Sequence, residues 1–135
     1  MPRPKYIDKL ALIEIRDKKL LMVRSKGRDV WYTAGGKREE GESDEQALIR
    51  EVKEEIGVEL NPASITFFAA YEGPAHGKPE DTVLRLTCYT ATYAGEPSAA
   101  SEIEELKWLS YADRHFTTES GRIVLEDLKQ KGLIE

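Results

Sequence analysis

Apolar positions along the chain fall into two periodicities. Between Tyr6 and Ile15, Ala11, Ile13 and Ile15 alternate with Leu10 and Leu12, so both faces of an extended segment are apolar. After a turn at Asp17 and Lys18, the run from Lys19 to Ser25 has the same character in Leu20, Leu21, Met22 and Val23. Strands apolar on both faces are buried on both faces, which predicts sheet lying between helices. Further strands are expected over 64–71, 82–93 and 103–109, with a short extended piece at Trp31, Tyr32 and Thr33 leading into Gly35 and Gly36. A period near 3.6 marks two helices. One runs over 44–56 with Leu48, Ile49, Val52 and Ile56, the other over 118–130 with Val124, Leu125 and Leu128. Ser43 followed by Gln46 predicts a capping box, and Gly57 and Gly132 are the expected stops. Gly73 to Asp81, with Pro74, His76 and Pro79, reads as a loop able to overhang a cleft. Neither a repeat nor a linker is evident, so residues 1–135 are expected to form a single α+β domain.

The first helix carries the chemistry. Glu51, Glu54 and Glu55 stand at i, i+3 and i+4, within one sector of ~100° beside the apolar stripe. Carboxylates one turn apart repel, and near a helix C-terminus they meet the negative end of the dipole. Each effect costs from a few tenths to about 1 kcal/mol, and a divalent cation reverses both. Hard oxygen ligands of this kind suit Mg²⁺ or Mn²⁺. A glutamate-rich helix facing water is the ordinary alternative. The flanking cap, the glycine pair and Arg50, placed to pair with Glu54 or to hold Glu51, argue against it.

These residues carry a resemblance. Gly36, Glu42, Arg50, Glu51, Val52, Glu54, Glu55, Gly57 and Val58 match every fixed position of the Nudix box, so the chain resembles the Nudix hydrolase family and its MutT-like members. The resemblance implies an α/β/α sandwich, a mixed β-sheet between helices, with the box as loop, helix and loop. It implies hydrolysis of a diphosphate bond in a nucleoside diphosphate linked to another group, with Mg²⁺ or Mn²⁺ as cofactor. Glu51, Glu54 and Glu55 correspond to metal ligands, with a carbonyl of the glycine pair, Gly36 or Gly35, beside them. Arg50 corresponds to the residue that orients Glu51, and Glu42 to a more distant or water-mediated ligand. The general base in this family comes from the box or from a later segment. Glu51 and Glu102 are the catalytic candidates here; Glu104 and Glu105 are the other late carboxylates, and strand alternation would put Glu102 and Glu104 on one side with Glu105 opposite.

Substrate contacts are expected from Gly35, Lys37 and Arg24, the last standing where some relatives carry a phosphate-binding arginine. Trp31 and Tyr32 either stack on a base or pack against the glycine turn. His76 and His115 are read as surface and structural residues. One departure concerns Ala34, which stands where the family often has proline before the glycine pair. Pro74 lies at a spacing similar to that of the ADP-ribose hydrolases, so the substrate stays open between ADP-ribose-like compounds and (d)NTPs.

Composition narrows the partners. A net charge of −5 argues against broad nucleic-acid binding and RNA decapping, which rely on basic surface. It leaves a small nucleotide substrate open, because a bound cation neutralises phosphates locally. The single cysteine, Cys88, excludes an internal disulfide and fits the reducing cytoplasm. No apolar run or leader suggests a membrane partner, and the protein is expected to be a monomer or homodimer. The competing reading is a catalytically silent Nudix-fold module that binds a nucleotide. The intact carboxylate set favours the enzyme.

Overall fold

The computed structural model describes residues 5–75, 78 and 81–135. Two sheets form the middle of a sandwich. In the first, β1 (Lys5–Leu12) pairs in parallel with β6 (Thr82–Thr90) and antiparallel with the short β4 (Gly35–Gly36), while β5 (Thr66–Pro74) flanks β6. In the second, β3 (Lys19–Ser25) lies between β2 (Ile15–Arg16) and β7 (Ile103–Leu109), all antiparallel. The mixed sheet expected between helices is therefore present in two parts.

Both helices form where periodicity predicts them. Helix α1 covers Asp44–Ile56 and α2 covers Glu119–Gln130. Ser43 accepts from the Gln46 N–H at 3.1 Å, and Gln46 accepts from the Ser43 N–H at 2.9 Å, which satisfies two end donors of α1. Gly57 closes the helix with φ +72, a value that favours glycine. Replacing Ser43 by alanine is expected to cost about 1 kcal/mol of stability, read as a lower urea midpoint with an unchanged slope.

Strand alternation decides which core each residue joins. Leu10 and Leu12 of β1, with Leu21 and Val23 of β3, pack against Leu48, Val52 and Ile56 of α1. Ala11 and Ile13, with Leu20 and Met22, face Val124, Leu125 and Leu128 of α2. Each fully buried leucine contributes about 1.5–3 kcal/mol relative to an exposed one. The doubly apolar strands thus serve two cores, one under each helix. Cys88 is buried in the second, where desolvation pushes its thiol pKa up to about 12.

Several strand ends differ from expectation because the chain changes partners there. The first strand stops at Leu12: the Ile13 N–H donates to Tyr89 O, while Glu14 O accepts from Leu21, and Ile15 joins the second sheet. The strand from Thr82 ends at Thr90. The segment at 64–71 starts instead at Thr66, after a 3₁₀ turn at Pro62–Ser64 capped by Asn61, and extends to Pro74. Gly73 and Pro74 therefore belong to β5 rather than to a loop, and His76 lies outside the described residues. Glu102 sits in the turn before β7, where Ser101 has φ +51, so the strand-face relation expected between Glu102 and Glu104 does not hold.

Candidate active-site cleft

The face of β1 and β6 that meets α2 is longer than the helix covers. Ala11 and Cys88 lie in the core beneath α2, whereas Ile7, Lys9 and Leu84, toward the strand starts, line an open cleft of about 550 Å³. Tyr32 and Arg28 line one wall. Thr118 and Ser120, at the start of α2, line another, and Gly35 and Gly36 lie along the β4 edge.

Glu51 and Glu55 enter this cleft from α1 around the β4 edge. Glycine is required there. A side-chain carbon on Gly36 would stand 2.4 Å from Glu51 Oε2, and one on Gly35 would stand 1.9 Å from the Leu10 carbonyl oxygen. Gly35 also has φ +147, which disfavours any other residue. Its N–H donates to Glu55 Oε1 at 2.8 Å.

The three carboxylates of one helical sector have three different environments. Glu55 is 4% exposed, the Glu51 side chain 18% and the Glu54 side chain 48%, and Glu54 does not line the cleft. Loss of water pushes the Glu55 pKa up to about 8, and the neighbouring charges of Glu51, Glu102 and Glu54 add to the rise against the Gly35 N–H. Desolvation also raises the Glu51 pKa, partly offset by Arg50.

Arg50 is the clamp of this end of the cleft. It donates to both oxygens of Glu42 at 2.8 Å, to Glu51 Oε1 at 2.6 Å and to the Lys37 carbonyl at 3.0 Å. Its approach to Glu54 is looser, at 3.9 Å. The guanidinium pulls the Glu42 pKa down to about 2, and the Glu39 N–H donates to the same carboxylate at 2.7 Å. The box loop is thus tied to the helix by charge-assisted bonds in fork geometry.

Other expected site residues lie apart. Arg24 donates to Glu105 Oε1 at 2.7 Å and to the Arg28 carbonyl at 2.8 Å, and it does not line the cleft. Trp31 is 7% exposed in the core under α2, flanked by Arg24 and Lys107 over its ring. Glu102 is exposed outside the lining, near enough to raise the Glu55 and Glu51 pKa values. Lys37 and Tyr32 line the cleft, and the Tyr32 hydroxyl shares a hydrogen bond with Ser25. His115 is exposed, its ring tilted at 40° against that of Phe116. Sequence reasoning missed Lys9, Arg28 and Lys78 on the cleft walls. For Lys9 a signal existed, a cation directly before the apolar run Leu10 to Ile13.

Among the described residues, no three histidine, cysteine or carboxylate side chains converge into a ready metal shell. The donors present are nonetheless all oxygen: two carboxylates at the cleft end beside the backbone of the glycine pair. Glu55 is buried with only the Gly35 N–H as a protein partner among the described residues. A hard divalent cation that completes its coordination with water and substrate oxygens fits this set, whereas a thiophilic metal does not.

A family model described as NUDIX domain matches residues 7–127. A CTP pyrophosphohydrolase from Escherichia coli is 42% identical over 110 residues, 78% of this chain and 77% of that protein. The NAD-capped RNA hydrolase NudC of Stutzerimonas stutzeri is 32% identical over 109 residues, 78% of this chain but 37% of its own length. The crystal structure of a MutT Nudix hydrolase from Burkholderia pseudomallei superposes with a TM-score of 0.74 at 26% identity, covering 90% of this chain and 97% of that one. Sequence, fold and the carboxylate-bearing helix agree, and the chain belongs to the Nudix family as a pyrophosphohydrolase.

Proposed function

We propose that this single domain hydrolyses a diphosphate bond in a nucleoside diphosphate linked to another group, with Mg²⁺ or Mn²⁺ as cofactor, in the cytoplasm. The observation that carries the reading is the convergence of Glu51 and Glu55 on the glycine edge of a cleft with lysines farther along. Glu51, Glu55 and a carbonyl of Gly36 would hold the cation, with Glu54 reaching it from the rim. Bound there, it would neutralise phosphate charge and acidify water. Arg50 orients Glu51. Glu51 and Glu102 are the proton-accepting candidates, and Glu102, the less confined of the two, remains free to reach a water in the cleft mouth. Gly35 shapes the pocket, Lys37 meets the outer phosphate, and Arg24, through its bond to the Arg28 carbonyl, braces the wall that Arg28 lines. The relative named for CTP supports testing that nucleotide first, beside dNTPs, ADP-ribose, NADH and dinucleoside polyphosphates.

Turnover is expected only with added Mg²⁺ or Mn²⁺ and is lost on chelation with EDTA, with a nucleoside monophosphate among the products. Product analysis by mass spectrometry in ¹⁸O-water identifies the phosphorus attacked. Full activity after exhaustive chelation removes the metal from the reading. Free nucleobase, or nucleoside diphosphate and inorganic phosphate as sole initial products, removes the bond assignment and favours the binding module.

A further inference from the structure

We infer that Lys9 is a positioning residue that holds the substrate phosphate nearest the nucleoside, between an apolar floor and the Glu51–Glu55 end of the cleft. This inference rests on the pyrophosphohydrolase reading and adds a subsite to it. Lys9 stands opposite Leu86 in the parallel pairing of β1 and β6, two residues along the strand from the Ile7–Leu84 pair. Ile7, Leu84 and Leu86 make the floor on which its side chain stands. On the other edge, β1 pairs Leu10 with Gly36, and Lys37, the residue after Gly36, is near enough to Lys9 for the two charges to repel.

Like charges held close together cost free energy. Among the described residues neither lysine has a hydrogen-bonded or ion-paired side-chain partner, although Glu51 and Glu55 line the same cleft. Two ammonium groups that line one cleft, neither with a side-chain partner among the described residues, are stabilised by a bound polyanion that reaches both. Lys37 adjoins the carboxylate end through its carbonyl bond to Arg50, whereas Lys9 lies on the apolar side. A nucleoside on the floor, its first phosphate at Lys9 and the next at the carboxylates follow in the order of the substrate's own bonds. Lys9 is exposed at the cleft mouth, yet enclosure by the cleft walls, and then Lys37, hold its ammonium below the ordinary lysine pKa.

The test is calorimetric binding of a nucleoside 5′-monophosphate and of the matching nucleoside, both in EDTA, to wild type, Lys9→Met and Lys9→Arg. Wild type is expected to favour the monophosphate. Lys9→Met is expected to lose about 10- to 100-fold for the monophosphate with nucleoside affinity unchanged, and Lys9→Arg to recover most of it. The loss is expected to be the same for each nucleobase, because a phosphate contact does not read the base. Should Lys9→Met not fold, Lys9→Gln is read in the same assay. The inference is overturned by unchanged monophosphate binding in the variant, by an equal loss for nucleoside, or by a wild type that does not favour the monophosphate. Turnover of wild type with metal is measured alongside. Its absence with the Lys9 effect intact defeats the hydrolase reading and leaves the subsite standing.

Discussion

Glu55→Gln is expected to lower turnover by on the order of 10²-fold or more while making the metal-free protein more stable at neutral and alkaline pH. The two effects have one origin. The buried Glu55 carboxyl has a folded pKa of about 8 against 4.5 when unperturbed, so the folded chain keeps a proton that the unfolded chain releases. Its contribution to stability is full below pH 4.5 and is lost as pH rises toward 8. Each unit of that interval costs about 1.4 kcal/mol, several kcal/mol in all as an order of magnitude. Glutamine carries no charge at any of these pH values and removes that slope. Metal-free melting curves between about pH 5 and 8 should therefore fall for wild type and stay flatter for Glu55→Gln. Added Mg²⁺ should raise the wild-type melting temperature more at the upper end of the range, because the cation competes with the proton for the same oxygens. Equal pH slopes in the two proteins, or near-normal turnover in the variant, would place the metal and the strain elsewhere.

Alanine at the two adjacent glycines should separate folding from activity. At Gly36 the added carbon meets the Glu51 carboxylate at 2.4 Å, and the flexible end of that side chain is what gives way. Glu51 then leaves both the cleft edge and its 2.6 Å bond to Arg50. Gly36→Ala is expected to fold but to lose about 10²-fold in turnover, the scale seen when a ligand's supporting contact is removed. At Gly35 the added carbon would lie 1.9 Å from the Leu10 carbonyl, a backbone atom with no room to move, at φ +147. Gly35→Ala is expected to lose several kcal/mol of stability, since β4 must detach from β1 or the backbone must bend. Melting temperature and turnover, measured together, check both. A Gly36→Ala enzyme with full turnover, or a Gly35→Ala protein as stable as wild type, contradicts this account of the β4 edge.

The bounds of α1, its Ser43–Gln46 cap, its Gly57 stop and the angular grouping of Glu51, Glu54 and Glu55 were all legible in the chain, and so was the family. They depend on interactions a few residues apart, which periodicity and capping chemistry report directly. The same holds for the assignment of Leu10 and Leu12 to one core and of Ala11 and Ile13 to the other. What periodicity could not supply was which neighbour each face meets. Glu54 and Glu55 are adjacent in sequence, yet one is half exposed and the other buried against the Gly35 N–H, because β4 approaches only one side of the helix. Arg24 is held by Glu105, Trp31 lies in the core, and Lys9 shares a cleft with Lys37, all through contacts between distant segments. Strand register is set by the packing of whole faces rather than by the residues at any one position. The chain alone therefore determined the carboxylate helix and the family, while only the tertiary structure decided which carboxylates share a cleft and which cations line it with them.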